Sequence, residues 1–398
     1  MRILVVSQYF YPETFRINDI VRELVKRGHA VTVVTGRPNY PKGEIYEGYE
    51  ESYKSVENYC GATIHRCKLR ARKKGVFNLA LNYLSFIHQA NKTLKRIEPN
   101  FDVIFFYGLS PVFSGLPAIK YGKKHRIRTV AYNLDIWPDS VRDSCDGRVM
   151  SKSNPIYLIS KMVSKYIYCR FDKLLNKCDD FGVYLHDLFK LPFDKMHTLY
   201  EHAEDIYLSV DEDPFDNGLI DFVFLGNIGK SQNCDQIVLA FNAINNEKAR
   251  LHFVGDGSYL EDLKKLVHRL DLDERVFFYG KKTIEEVIPF YNMADVCVLS
   301  LSNKTASGLT PPGKLFSYMA SGRMIVASIN GSSRDIINEA QCGLSCPADD
   351  VQGLSTLMER VTRSFDSYST CGKNGRLFFV HHFTLKQHID ALEKHLVE

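Results

Sequence analysis

Three glycine-rich turns and one proline-led turn in the second half of the chain hold the residues best suited to binding an anion. Phe222-Val223-Phe224-Leu225 runs into Gly226-Asn227-Ile228-Gly229-Lys230, Val254 into Gly255-Asp256-Gly257, and Val276 to Tyr279 into Gly280-Lys281-Lys282. Where a strand ends in glycine and a helix opens, backbone N–H groups and the positive end of the helix dipole are offered to a phosphate, and Lys230 adds a mobile charge. The same glycines serve tight turns equally well, so each loop taken singly admits both readings. The segment Thr310-Pro311-Pro312-Gly313-Lys314-Leu315-Phe316-Ser317 is more specific. Its prolines prepare a helix start at Gly313 or Lys314. A lysine in a first helical turn opposes the dipole unless an anion is close, so Lys314 predicts a bound phosphate.

The first half offers different chemistry. Its opening apolar run is followed by Ser7-Gln8-Tyr9-Phe10-Tyr11-Pro12-Glu13-Thr14-Phe15-Arg16, where Glu13 and Arg16 are placed to meet an acceptor and a donor phosphate, or form a charged pair on a solvated loop. Tyr132-Asn133-Leu134-Asp135-Ile136-Trp137-Pro138 contains the single tryptophan. Asp135, just past a strand end, suits a general base or a sugar-hydroxyl ligand, or it caps the following turn. Arg70, Arg72, Lys73 and Lys74 abut a helix that begins near Phe77 and is apolar around most of its girth. Basic charge beside exposed apolar surface predicts contact with anionic lipid; the alternative is a buried helix after a solvated loop. No RNA- or DNA-binding motif accompanies these cations, so nucleic acid is not an expected partner.

These residues need a scaffold. A chain of 398 residues, 45% apolar and 25% charged, is long enough for two cores. Apolar β-branched runs at Ile3, Ala30, Val103, Arg128, Asp221, Leu251, Val276, Val296 and Met324 alternate with segments of helical period. Strands apolar on both faces between helices predict parallel sheets covered on both sides. The pattern restarts near residue 221, which predicts an α/β chain of two doubly wound, Rossmann-like domains, 1–203 and 204–398, with a linker at about 200–218 and ligands at an interdomain cleft. The last helix is placed to pack back on the first domain.

Charge divides the same way: residues 1–203 carry 32 Lys+Arg against 20 Asp+Glu, and the remainder 19 against 27. The basic half is expected to face something anionic. Ten cysteines without a CxxC pair suggest neither a zinc site nor a disulfide framework, and the N-terminus lacks a signal peptide, so a cytoplasmic protein is expected. Gly108, Pro111, Gly115 and Pro117 interrupt the longest uncharged stretch, and no transmembrane helix is expected.

In order, GNIGK, VGDG, RVFFYG, YNMADVCVLSL and PPGKLFSYMASGRMIVAS resemble the nucleotide-sugar domain of retaining GT-B glycosyltransferases of family 4. QYFYPE, RGHAVTVVTGRPNYPKG, YGLSPVFSGLPA and YNLDIWPDSV resemble its branch that builds bacterial surface polysaccharides such as O-antigen and capsule. The resemblance covers nearly the whole chain. It implies a GT-B fold and a donor site lined by Gly226, Gly229, Lys230, Gly255, Gly257, Gly280, Gly313, Lys314 and Leu315. The neighbouring Asn227, Asp256, Pro312 and Ser317 are expected to join that site. The resemblance carries over the location of Asp135 and not a role; Asp135, Glu13, Arg16 and Lys230 are the expected catalytic residues from their types and placement. It also implies sugar transfer from a nucleotide sugar, a uridine diphosphate derivative above all, to a polyisoprenyl-diphosphate-linked saccharide at the inner membrane face. Arg70, Arg72, Lys73, Lys74 and Phe77 are then the membrane contacts. No Asp-x-Asp stands at a strand end, so no metal and no cofactor are expected. The family commonly carries two glutamates where this chain has Leu309 and Ser317. That departure suggests one other reading, a non-catalytic nucleotide-sugar-binding subunit; a nucleotide-sugar 2-epimerase of the same architecture is a further alternative, which the basic, apolar segment at 66–87 speaks against.

Overall fold

The computed structural model describes residues 1–50, 55–73, 75–143, 150–303 and 306–398. They form two compact units, one of residues 1–199 with 389–398 and one of residues 200–388. The boundary lies a few residues before the expected 203, and the last ten residues group with the first unit.

In the first unit the order is β1 (Arg2–Val6), α1 (Ile17–Lys26), β2 (Ala30–Gly36), β3 (Val56–Tyr59), β4 (Ala62–Cys67), α2 (Val76–Leu94), β5 (Val103–Gly108), α3 (Leu116–His125), β6 (Arg128–Asn133), α4 (Asp139–Asp143), α5 (Pro155–Tyr168), β7 (Lys173–Asn176), α6 (Asp179–Phe189) and β8 (Met196–Thr198). These strands form an eight-stranded sheet in the order β3-β4-β2-β1-β5-β6-β7-β8. Every pairing is parallel except β3 with β4. Cys60 and Gly61, both at positive φ, form the two-residue turn that folds β3 back. β5 is buried at every residue, and this explains its uninterrupted apolar run.

The second unit runs β9 (Ile220–Leu225), α7 (Cys234–Asn242), β10 (Ala249–Val254), α8 (Leu260–Arg269), β11 (Val276–Phe278), α9 (Ile288–Met293), β12 (Val296–Ser300), α10 (Gly313–Ala320), β13 (Met324–Ser328), α11 (Gly331–Glu339), β14 (Gly343–Cys346), α12 (Val351–Arg363), α13 (Ser369–His382) and the start of α14 (Leu385–Val397). Its six strands are parallel in the order β11-β10-β9-β12-β13-β14. In both sheets the strand order reverses beside the first strand, so the loops leaving β1 and β5, and those leaving β9 and β12, flank a crevice where such sheets bind ligands.

Short strands with polar residues, β3, β7, β8 and β14, have no apolar run to mark them and lie at or next to sheet edges. The last ten residues are tied into the first unit by charge. Arg27 donates to Asp390 at 2.6 Å and Glu393 at 2.8 Å, and His29 Nε2 lies 2.7 Å from Glu393. No described helix is long and apolar enough to cross a membrane.

Candidate functional site

In the second unit, the reversal point lies between β9 and β12, and two of the sequence-selected residues meet there. β9 carries Phe224 near its end and runs out into Gly226; α10, the helix after β12, begins at Gly313 and carries Lys314 in its first turn. The Lys314 ammonium lies 3.7 Å from the centre of the Phe224 ring. Gly226 is at φ +130°, and a side chain there would come within 3.3 Å of the Lys314 terminus, so glycine at this position leaves the lysine its berth. Lys314 Nζ is buried and has no hydrogen-bond partner among the described residues. Burial lowers its pKa to about 7, with the neighbouring Cys234 thiol opposing the shift. A buried ammonium set against a ring face, with no acceptor among the described residues, is short of its usual three acceptors. α10 has no side-chain cap and no acidic residue in its first turn, leaving its positive end uncompensated by its own residues.

The other glycines divide by cause. Gly255 lacks a side chain because the loops after β9 and β10 lie against each other: a Cβ there would stand 1.8 Å from the Gly226 carbonyl oxygen, and one on Gly257 2.4 Å from that of Ile228. Backbone bonds from Gly226 to Val254 (2.9 Å) and from Ile228 to Asp256 (2.9 Å) continue the strand pairing into the loops. These glycines are therefore required by loop packing whether or not a ligand is present. Gly229 lies close to the Asn227 side chain, and Asn227 and Lys230 are exposed. Asp256 is exposed and accepts from the Gly257 amide at 2.7 Å. Gly280 follows the edge strand β11, two positions from β9, and needs only its positive φ of 68°.

Two residues expected at the donor point elsewhere. Leu315 is fully buried in the core, so only its backbone is placed for a ligand. Ser317 is buried and its hydroxyl donates to the Gly313 carbonyl at 3.4 Å, within its own helix. Pro312 precedes α10 in extended conformation. Tyr318 was not singled out from sequence; its buried hydroxyl accepts from the Leu225 amide at 2.9 Å and holds the end of β9 against α10.

In the first unit, Glu13 is almost completely buried. Its carboxylate accepts from the amides of Asn39 (2.8 Å), Tyr40 (2.7 Å) and Phe10 (3.3 Å). Burial pushes its pKa up to about 7 against the pull of those amides. Glu13 thus ties the β1 loop to the β2 loop and does not present a free carboxylate. Glu13→Ala is expected to lower unfolding free energy by about 1–3 kcal/mol, measured by urea titration, because two buried donors and one part-buried donor lose their acceptor.

Arg16 stands immediately before α1 and is half-buried. Asp135 follows β6 as an exposed side chain between Leu134, Ile136 and Trp137, all buried. Trp137 Nε1 donates to Ser110 Oγ at 2.9 Å and its ring meets Phe113 edge-on.

The basic segment is not a uniformly solvated patch. Arg70 and Lys73 are exposed, but Arg72 is half-buried, its guanidinium 5.4 Å from the centre of the Tyr40 ring. Buried Asn82 donates to the Arg70 carbonyl at 2.6 Å and Asn39 accepts from the Arg72 amide at 3.1 Å, which fixes Arg72 against the protein. Lys74 and the side chain of Phe77 lie outside the described residues. Among the described residues no group of three or more His, Cys, Asp or Glu side chains is arranged to hold a metal.

Comparison with known proteins gives two family matches, "Glycosyltransferase Family 4" over residues 15–201 and "Glycosyl transferases group 1" over residues 220–364. The probable glycosyltransferase WbjE of Pseudomonas aeruginosa is 26% identical over 57% of this chain, and this chain spans 58% of that protein's length. The putative colanic acid biosynthesis glycosyl transferase WcaI of Escherichia coli is 24% identical over 81% of this chain and 82% of that one. Among solved structures, HepE of Anabaena in complex with UDP superposes with a TM-score of 0.72 at 11% identity, covering all of both chains.

Proposed function

This chain belongs to the family 4 glycosyltransferases of the GT-B fold, and on that premise we propose that it transfers a sugar from a uridine diphosphate sugar to a lipid-linked saccharide during assembly of a bacterial surface polysaccharide. The observation that carries the donor half of this reading is the unpartnered ammonium of Lys314 beside Gly226 at the reversal point of the second sheet. A diphosphate there would supply the missing acceptors. As the sugar–phosphate bond breaks, negative charge grows on the leaving diphosphate, and a pre-placed cation with an uncapped helix end stabilises that charge more than the ground state. Lys230, exposed on the adjoining loop, adds a second cation, so the leaving group is neutralised by protein groups without a resident metal. Retention at the transferred carbon belongs to the same proposal.

Asp135 is the acceptor-side residue in this reading, bonding the incoming hydroxyl or taking its proton. The acceptor is a polyisoprenyl-diphosphate saccharide, and the protein works at the cytoplasmic face of the membrane. The colanic acid relative supports the polysaccharide role, and the uridine diphosphate complex of the Anabaena neighbour supports the base.

Calorimetric titration of the purified protein tests the donor half. Uridine diphosphate is expected to bind in the micromolar range, about ten times tighter or more than guanosine diphosphate. A folded protein that binds neither at millimolar nucleotide would overturn the reading.

A further inference from the structure

We infer that the outward face of α5, Pro155–Tyr168, is the surface by which this protein lies on an anionic lipid membrane. The helix is inverted relative to one that faces water. Ser160 and Ser164 point inward beside Tyr157 and Ile167, buried, with hydroxyls that have no hydrogen-bond partner among the described residues. Outward, at helical spacing, stand Leu158, Ile159, Met162 and Tyr166, with Met162 73% and Ile159 62% exposed. A helix shaped by water alone puts serine outside and methionine inside.

Charge selects the cover. From residue 150 to 171 the chain has no Asp or Glu, while Lys152, Lys161, Lys165 and Arg170 lie on or beside the helix. The Arg170 guanidinium rests 3.3 Å from the centre of the Tyr166 ring, its charged end at the edge of the apolar face. An apolar strip on a segment that carries cations and no carboxylate of its own matches an acyl-chain boundary beneath anionic headgroups.

The first basic segment fits less well: among the described side chains of α2, Leu84 is the exposed large apolar residue, and Tyr83, Phe86, Ala90 and Leu94 are buried. The contact expected there therefore moves to α5. This inference rests on the membrane part of the proposed function and is independent of the donor site, so the two can fail separately.

The test is sedimentation with vesicles of phosphatidylglycerol and phosphatidylcholine, or of phosphatidylcholine alone, without nucleotide. The wild-type protein is expected to bind the anionic vesicles preferentially, and Ile159→Glu with Met162→Glu to weaken that binding at least about tenfold. Lys161→Ala with Lys165→Ala should weaken it less and reduce its sensitivity to salt. Uridine diphosphate titration and circular dichroism of each variant report whether the fold is intact. Unchanged vesicle binding by the Ile159/Met162 variant, with loss on Arg70→Ala plus Lys73→Ala, would overturn the assignment to α5. So would a wild-type protein that ignores vesicles, or one that self-associates through this face and becomes monomeric in the variant.

Discussion

Replacing Lys314 by methionine is expected to weaken uridine diphosphate binding about 10- to 100-fold and at the same time to make the unliganded protein more stable. The first effect follows from the loss of charge-assisted contacts, worth about 1.5–3 kcal/mol. The second follows from the berth: the ammonium is buried against Phe224 without a hydrogen-bond partner among the described residues, and an apolar side chain of similar length removes that penalty, about 1–3 kcal/mol. A residue whose removal stabilises the empty protein and disables the loaded one is held in place for its ligand.

The same lysine sets a pH signature. Its folded-state pKa is lowered from the ordinary 10.5 to about 7, so between those values the unfolded chain holds more protons and the group's contribution to stability rises with pH. Below about pH 7 both states are protonated and the full burial penalty is felt. For binding the sign is opposite. A diphosphate favours the charged lysine, so binding above pH 7 takes up a proton and affinity falls with rising pH, up to about tenfold per unit. Calorimetry in buffers of different ionisation enthalpy reads that uptake directly. No uptake at pH 8.5, or an affinity unchanged in Lys314→Met, would remove Lys314 from the diphosphate site.

How much of this could be read from residue order differs between fold and site. Parallel sheets were legible because strands buried on both faces, such as β5 and β13, cannot hide their apolar runs. β8 and β14 were not, because a three- or four-residue edge strand needs no such run. A lysine in the first turn of α10 was visible as an electrostatic oddity, but the ring beneath it was not, since Phe224 lies ninety residues earlier, in β9. Glycine was the weakest guide. Gly226 makes room for a side chain, Gly255 and Gly257 for another loop's backbone, and Gly280 only for a turn, and nothing in a strand–glycine pattern separates these causes.

Charged side chains were misleading for a related reason. Glu13 and Arg72 look like solvent-facing groups in sequence, but long-range amides hold Glu13 inside and the Tyr40 ring partly covers Arg72. The apolar outer face of α5 was hidden in turn, because a helix with apolar residues on both sides shows little contrast in its periodicity.

Asp135→Asn is expected to lower kcat/KM for sugar transfer by about 10²–10⁴ while leaving nucleotide affinity and thermal stability nearly unchanged. The argument begins with burial. Leu134, Ile136 and Trp137 are 4%, 2% and 6% exposed, so the turn after β6 is packed into the domain on both sides of one carboxylate that is left outside. Trp137 is anchored by its bond to Ser110 and its edge contact with Phe113, and Phe113 meets Tyr83 edge-on. Burial, with the charge of Asp135 adding to it, pushes the Tyr83 phenol up to about 12. The carboxylate therefore stands beside this aromatic cluster, and on the proposed function that is where an incoming sugar hydroxyl would meet it. Asparagine keeps the size and a hydrogen bond but cannot accept a proton. If Asp135 served only to cap the turn, the same substitution would leave transfer intact, and Asp135→Ala would instead cost about 1 kcal/mol of stability. Activity assays and thermal melts of the two variants side by side separate these roles, since one predicts loss of rate at constant stability and the other loss of stability at constant rate.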